Sequence, residues 1–121
     1  MAMSAVLKTT IDRLRPRFIV NLTEWQASFH ALRPVLTGDG ELSQPLQELR
    51  FATHRMAGLA GTLGFRALGR LAQQAEAQLV PLLDEAAPRR PLPPALLASL
   101  DALMTEMDRV LSEGSPARTG R

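Results

Sequence analysis

Several residue types are scarce or missing in this chain of 121 residues. It contains no cysteine and no tyrosine. Without cysteine the chain can form neither a disulfide framework nor a thiolate metal site. The two histidines, His30 and His54, lie too far apart in sequence to form a metal motif by their spacing. We therefore expect a fold that is held together by packing alone and that binds no metal ion.

Long hydrophobic runs are also absent. No apolar run approaches the roughly 18 residues that a membrane span requires, and the first residues reach a charged side chain, Lys8, too early for a signal peptide. The chain length suits a single domain with one modest core. We expect a soluble, cytoplasmic protein that does not enter a membrane.

The charge balance is close to neutral although the isoelectric point is high. The formal net charge is only +2, from 14 basic and 12 acidic residues, whereas the isoelectric point is about 10.4. The difference arises because Lys8 is the single lysine and no tyrosine or cysteine titrates below the arginines. The arginines are spread along the chain, which is weak support for a phosphate-backbone footprint. We expect no nucleic-acid partner.

Apolar residues recur at helical spacing almost throughout, and no segment alternates as a β-strand would. The clearest stripe predicts one long helix with a single buried face: Phe18, Leu22, Trp25, Phe29, Leu32 and Leu36. A shorter stripe with the same spacing precedes it: Val6 or Leu7, Ile11 and Leu14. Pro16 lacks a backbone N–H, so we expect a separate short N-terminal helix to end or kink near Arg15.

A second helix is predicted after a turn of glycine, threonine and aspartate at residues 37–40. Ser43 is a good N-cap for this helix, which carries His54 and is expected to stop near Gly64. A helical wheel places one set of apolar residues together on the core face: Leu49, Ala52, Met56, Leu59, Ala60 and Leu63. His54 lies on the opposite face.

The third helix is predicted to begin at Phe65 or Arg66 and to carry a leucine and alanine stripe. Pro81 lies inside this stripe, and a proline in a straight helix costs about 3 kcal/mol. We therefore expect the helix to end or kink close to Leu79. A proline-rich connection follows at residues 86–94.

The last helix is predicted from a further apolar stripe that begins at Leu96 and is closed by Gly114. Arg89 and Arg90, in the preceding connection, are expected to lie in a solvated loop. Residues 115–121 carry no apolar side chain that could anchor them and are expected to be disordered. The sum is an all-α fold: an antiparallel four-helix bundle with an additional short N-terminal helix, forming one domain over residues 1–114.

The surface around His54 is unusually bare for a helix. Its neighbours on the same side are Arg50 one turn before and Ala57, Gly58 and Gly61 after it. Two glycines inside a helix cost about 1 kcal/mol each relative to alanine, so their presence needs a reason. Close helix packing is one possible reason, but both glycines lie away from the apolar stripe. Access for a large partner to the imidazole is the interpretation that we favour.

Other residues near His54 suit the docking of such a partner. Phe51 and Thr62 share its side of the helix, and a partly exposed Phe51 is an apolar anchor for a protein surface. Arg50 and Arg55 favour an acidic pocket on the partner. His30 has no comparable setting and is interpreted as a solvated surface residue.

Residues 54–65, His-Arg-Met-Ala-Gly-Leu-Ala-Gly-Thr-Leu-Gly-Phe, and the leucine-rich segment 68–76 resemble the histidine-containing phosphotransfer family. The match is closest to the N-terminal phosphotransfer domain of chemotaxis-type histidine kinases. The resemblance implies a phosphoryl carrier of a two-component phosphorelay, not a self-contained catalyst, with His54 as the phosphoacceptor. It also implies a response-regulator receiver domain or a histidine kinase as partner, with Mg²⁺ bound by the receiver and no cofactor on this chain.

One residue departs from the family pattern. The family usually has lysine three residues after the histidine, where this chain has Ala57. Arg50 and Arg55 could supply the missing positive charge, and a guanidinium can bind phosphate through two parallel hydrogen bonds. Glu76, on the following antiparallel helix, is the candidate carboxylate that orients the imidazole through one ring nitrogen. The alternative for Glu76 is an ordinary exposed helix acid.

Two other functions compete with the phosphoryl carrier. The first is a degenerate member of the same fold that docks a receiver or kinase without carrying phosphate. The missing lysine would be the feature of the sequence that indicates this loss. The second belongs to another class: a small helical adaptor that binds DNA or an acidic protein through its arginines.

Overall fold

Four α-helices and one short 3₁₀ helix make up the fold in a computed structural model that describes residues 2–85 and 88–113. The elements are α1 (Ala2–Leu32), the 3₁₀ helix (Pro34–Thr37), α2 (Ser43–Leu59), α3 (Arg66–Leu83) and α4 (Pro94–Glu113). The described residues contain no strand, so the predicted all-α fold is confirmed. Gly114 and the segment 115–121 lie outside the described residues.

All four helices contribute to one hydrophobic core. Its largest fully buried side chains are Leu22, Phe29, Leu36, Leu46, Leu49, Met56, Leu63, Leu68, Leu79, Leu96, Leu100 and Leu103. The aromatic residues of α1 extend the core, because the Phe18 ring is stacked on Phe65 at 5.5 Å between centroids and meets the edge of Trp25 at 5.9 Å. Leu59 is the exception to the predicted core face of α2, since it is exposed. Its position at the margin of the apolar stripe accounts for this difference.

The first helix is continuous where a break was predicted. α1 runs through Pro16 to Leu32, so the short N-terminal helix is not a separate element. Proline removes one N–H and crowds the carbonyl four residues earlier, here that of Asp12. Both Pro16 and Asp12 are exposed, and water can satisfy the carbonyl that loses its partner. The proline penalty at this position is therefore smaller than in a buried helix.

The third helix likewise continues past its proline. α3 ends at Leu83 and contains Pro81, so of the predicted kink or end close to Leu79 the end is wrong. Pro81 lies in the last turn and is exposed, while Leu82 and Leu83 pack against the core. That packing holds the last turn in place after the proline.

The segments around α2 differ from the prediction in two contacts. The N-cap of α2 is Leu42, and the backbone N–H of Gln44 donates to the carboxylate of Glu41 at 3.2 Å, so Ser43 is not the cap. Arg90 is not a solvated loop residue, because its guanidinium donates to two backbone carbonyls of the α1–α2 connection, those of Gly40 at 2.7 Å and Val35 at 2.8 Å. This contact joins the proline-rich connection to the α1–α2 connection.

Candidate functional site

The turn after α2 orients the next helix. Gly64 has a φ of +97°, a conformation that glycine adopts without strain. The N–H of Phe65 donates to the carbonyl of Ala60 at 2.8 Å, and the N–H of Gly64 donates to that of Gly61 at 3.2 Å. These two bonds form a Schellman motif, which closes a helical segment and reverses the chain. α2 itself ends at Leu59, five residues before the predicted stop near Gly64, and the turn that follows it closes at Gly64.

The register of α2 against α3 is set by a glycine contact. A Cβ atom on Gly69 would lie only 3.2 Å from the backbone nitrogen of Gly61, so the absence of a side chain lets the two backbones approach closely. His54 lies seven residues before Gly61, and Glu76 lies seven residues after Gly69. Seven residues are about two helical turns. His54 and Glu76 therefore lie on the same sides of their helices as Gly61 and Gly69, and the two side chains lie at a common level along the helix pair.

The structure brings His54 and Glu76 into direct contact. Nδ1 of His54 lies 2.7 Å from Oε2 of Glu76. The imidazole side chain is 68 % exposed, whereas the carboxylate is only 19 % exposed. An ionised carboxylate accepts hydrogen bonds and donates none, so the proton of the neutral ring lies on Nδ1. Nε2 then carries the free lone pair.

The helix surface beyond His54 is open. A Cβ atom added to Gly58 or Gly61 would meet nothing within 4 Å. Thr62 is exposed as well, and Ala57 is half-buried against the core. The outer sides of Gly58 and Gly61 therefore face empty space, and close helix packing explains neither missing side chain; in α3 the glycine needed for packing is Gly69.

Phe51 and Arg50 lie on one side of His54 and border a cleft. Phe51 is 61 % exposed. Both residues line an open cleft of about 760 Å³, to which α1 contributes Trp25 and α3 contributes Val80. Within residues 2–85 and 88–113, Arg50 forms no ion pair. Its charge is thus available to a ligand or partner beside the imidazole.

Arg55 belongs partly to a different surface. Its guanidinium carbon lies 5.6 Å from the centroid of the Phe51 ring, a cation–π arrangement. It also lines a second cleft, of about 510 Å³, together with Arg17 and Leu59. Of the residues predicted for docking, the structure places Phe51 between the two arginines, with Arg50 facing the first cleft and Arg55 the second.

Comparison with known proteins gives one match. A family model described as the Hpt domain matches residues 7–112, which is most of the chain. The chain belongs to the Hpt domain family. No curated protein and no solved structure matches it.

Membership of the Hpt family gives the general function of this chain. Hpt domains carry phosphoryl groups on histidine in phosphorelays, where they work with receiver domains and kinases as carriers and not as catalysts. None of the helices described in this Hpt domain is long and apolar enough to cross a bilayer.

Sequence reasoning missed two residues of this Hpt domain that bear on the site. Gly69 controls the approach of α3 to α2, and its only signal was a glycine inside a predicted helix, which is costly without a reason. Leu59 forms an exposed part of the second cleft. Periodicity gave no signal for it, because a residue at the margin of an apolar stripe is covered or exposed depending on its neighbours.

Proposed function

We propose that this Hpt domain accepts a phosphoryl group on His54 and exchanges it with the aspartate of a response-regulator receiver domain. The observation that carries the proposal is the 2.7 Å contact between Nδ1 of His54 and Oε2 of Glu76. It leaves Nε2 as the nucleophile on a ring that is held in one orientation and is mostly exposed.

The transfer balances without an added cofactor on this chain. The lone pair of Nε2 forms the N–P bond, while the P–O bond to the receiver's aspartate breaks and the carboxylate leaves with that electron pair. The ring then carries positive charge with its proton still on Nδ1, and the carboxylate of Glu76 stabilises this charge. Glu76 therefore acts as a positioning residue in both directions of transfer.

Arg50 is the cation that we assign to the transferred phosphoryl group. It lies one helical turn before His54, a spacing that brings side chains on a helix within about 6 Å at their Cβ atoms. Ala57, where the family usually has lysine, is half-buried and uncharged. Phosphoryl transfer depends mainly on positioning and charge stabilisation, so a free guanidinium beside the imidazole suits this role.

The receiver is proposed to dock on the open face around His54. Phe51 supplies an exposed apolar anchor, and Arg55 supplies positive charge beside it. Gly58, Gly61 and Thr62 leave room for the receiver's surface. The receiver brings its own aspartate and Mg²⁺. We place this exchange in the cytoplasm and expect the nearest functional parallel among the phosphotransfer domains of chemotaxis-type kinases.

A degenerate Hpt domain is the second candidate function. Such a domain would dock a receiver or kinase without carrying phosphate. The observation in its favour is Ala57, because the usual cation is missing from the position three residues after the histidine. The contact between His54 and Glu76 favours the carrier, because docking alone does not require an imidazole that is held in one orientation.

Incubation with a receiver that bears a radiolabelled aspartyl phosphate distinguishes the two functions. We expect label on the Hpt domain that is labile in acid and stable in base, and that is lost in His54→Gln. His30→Gln is the matched control and should retain the label. Retention of label by His54→Gln would overturn the assignment of the acceptor. Tight binding of the receiver without any label would establish the degenerate domain.

A further inference from the structure

Among residues 2–85 and 88–113, nothing packs against the first part of α1 along most of its length. Residues 5–17 form a segment that we name the arm. All of them are exposed except the half-buried Ile11, and the first buried side chain after them is Phe18. Leu7 is more than half exposed, and Leu14 is also exposed. A helix that leaves these leucines in water presents an uncovered apolar surface.

Three apolar side chains of the arm form a narrow seam, and the exposed Val6 lies off it, on the flank of Arg17. Leu7, Ile11 and Leu14 are spaced by four and three residues, and the same spacing continues into the buried Phe18. This spacing is that of the seam between two packed helices. A helix that lies in a membrane interface carries a broader apolar face instead. The seam is therefore continuous with the core face of α1 and suited to a second helix.

Basic side chains flank the seam on both sides. Lys8 and Arg15 lie on one flank, and Arg17 lies on the other. With Arg13, the arm has four basic side chains against one acidic residue, Asp12, which gives +3 in a chain of net charge +2. The remainder of the molecule is therefore nearly neutral, and the positive charge is concentrated beside the seam.

A contact with α2 holds the arm in place at one end. Nε of Arg15 donates to the backbone carbonyl of Leu63 at 2.7 Å. From this contact, His54 lies nine residues along α2, about 13 Å, and Leu7 lies eight residues in the other direction along α1, about 12 Å. Leu7 is thus remote from the imidazole, whereas Leu14 and Arg17, at the other end of the arm, border the second cleft that Arg55 also lines.

The flanking charges decide what can cover the seam. Pairing of two arms would bring Lys8, Arg15 and Arg17 against the same residues of the second copy, and like charges at flanking positions oppose helix pairing. We propose that the arm is a docking site for an amphipathic helix of a partner protein with acidic side chains on both flanks, and that this helix is anchored at Leu7 and Ile11, away from the imidazole. The interaction recruits the Hpt domain and does not depend on phosphate.

Binding of a defined peptide to the full chain tests this proposal. The probe is a synthetic three-heptad peptide with isoleucine and leucine at its seam positions and glutamate on both flanks, followed by fluorescence anisotropy. The matched probe has lysine in place of every glutamate. We expect the glutamate peptide to bind about tenfold or more tightly than the lysine peptide, and to weaken as salt is raised.

Variants of the full chain locate the bound peptide. Leu7→Asp should weaken binding of the glutamate peptide about tenfold by removing a seam contact. Thr23→Asp is the control, because Thr23 is exposed on the same helix but lies on the side opposite the seam. Lys8→Glu leaves the seam intact and should weaken binding through charge alone. Circular dichroism confirms that each variant is folded, and phosphoryl transfer from a labelled receiver to Leu7→Asp should be unchanged.

Four results would each overturn the proposal. They are equal binding of the two peptides, no binding of either, a doubled mass in sedimentation that Leu7→Asp abolishes, and binding to vesicles of phosphatidylcholine and phosphatidylserine that exceeds binding to the peptide. None of them bears on whether His54 carries phosphate, so the two proposals can fail independently.

Discussion

The two histidines of this molecule occupy similar places but different environments. Both are exposed on a helix, and both face a carboxylate on a neighbouring helix. Nδ1 of His54 lies 2.7 Å from Glu76, whereas Nε2 of His30 lies 3.6 Å from Asp108. The distance between His54 and Glu76 is that of a hydrogen bond, whereas the distance between His30 and Asp108 is too long for one.

The two carboxylates explain this difference. Glu76 is 19 % exposed, while Asp108 is 50 % exposed and already accepts a hydrogen bond from the amide of Gln26 at 2.5 Å. A partly buried carboxylate with a single donor orients that donor, because little water competes for it. A solvated carboxylate with another donor does not orient His30.

The nearest cations differ in the same way. Arg33, one turn after His30, donates to both oxygens of Asp101 at 2.8 and 3.1 Å. These hydrogen bonds hold the pKa of Asp101 below its usual value. Arg50, one turn before His54, has no ion pair in the described part of the chain. His54 therefore has both a hydrogen-bonded carboxylate and a cation without an ion pair in the described residues, whereas His30 has neither.

The largest effect is expected from removing the orienting charge. Glu76→Gln should slow phosphoryl transfer to His54 about tenfold to a hundredfold, by analogy with the loss caused by replacing carboxylates that orient metal-bound histidines. The amide oxygen can still accept from Nδ1, but it stabilises the charged ring less. Asp108→Asn is the matched change beside His30 and should leave the rate unaltered. Rapid-quench measurement of labelled transfer checks both variants, and equal rates for all three proteins would contradict the role of Glu76.

Blocking the open surface should have the next largest effect. Gly58→Leu places a bulky side chain where nothing lies within 4 Å of a Cβ atom, so the fold should tolerate it. We expect receiver affinity to fall about tenfold, and the free energy of unfolding to rise by up to about 1 kcal/mol because leucine favours helix.

Isothermal titration and urea unfolding measure these two quantities. Ala27→Leu adds similar bulk at an exposed position near His30 and serves as the control. An unchanged affinity in Gly58→Leu would place the docking surface elsewhere.

The smallest effect is expected from the cation. Arg50→Ala should slow transfer about fivefold and reduce its dependence on salt, since one exposed charge contributes on the order of 1 kcal/mol. Arg33→Ala, near His30, should change neither. Adding Ala57→Lys to Arg50→Ala restores the missing charge and should recover part of the rate. If Ala57→Lys accelerates the wild type as much as the variant, Arg50 does not replace the lysine.

Much of the architecture follows from periodicity and turn residues. The apolar spacing of α1 and α4 predicted their core faces, and the glycines up to Gly64 placed the boundary between α2 and α3, although α2 ends five residues earlier than predicted. The sequence also placed Glu76 on the helix that follows His54, but the close approach of Gly69 to Gly61, which brings the two side chains to one level, was not predicted. Their roles in transfer stay proposals.

The features that could not be predicted depend on solvent and on distant parts of the chain. Pro16 and Pro81 are tolerated because they are exposed, and exposure is a property of the packed structure. Arg90 finds its carbonyl partners 50 and 55 residues earlier in the chain. Local propensity contains no information about such partners.

The glycine contact between α2 and α3 has a consequence for how this protein tolerates changes in chain length. His54 and Glu76 lie 22 positions apart in one helical hairpin, so their contact depends on a single contiguous segment. Insertion of one residue in α3 between Gly69 and Glu76 would turn the carboxylate about 100° around the helix axis and away from the imidazole. Insertions in the connection at residues 38–40 would leave the pair untouched. The interval from Gly69 to Glu76 therefore tolerates no change in length if the contact is to form, whereas the connection at residues 38–40 does.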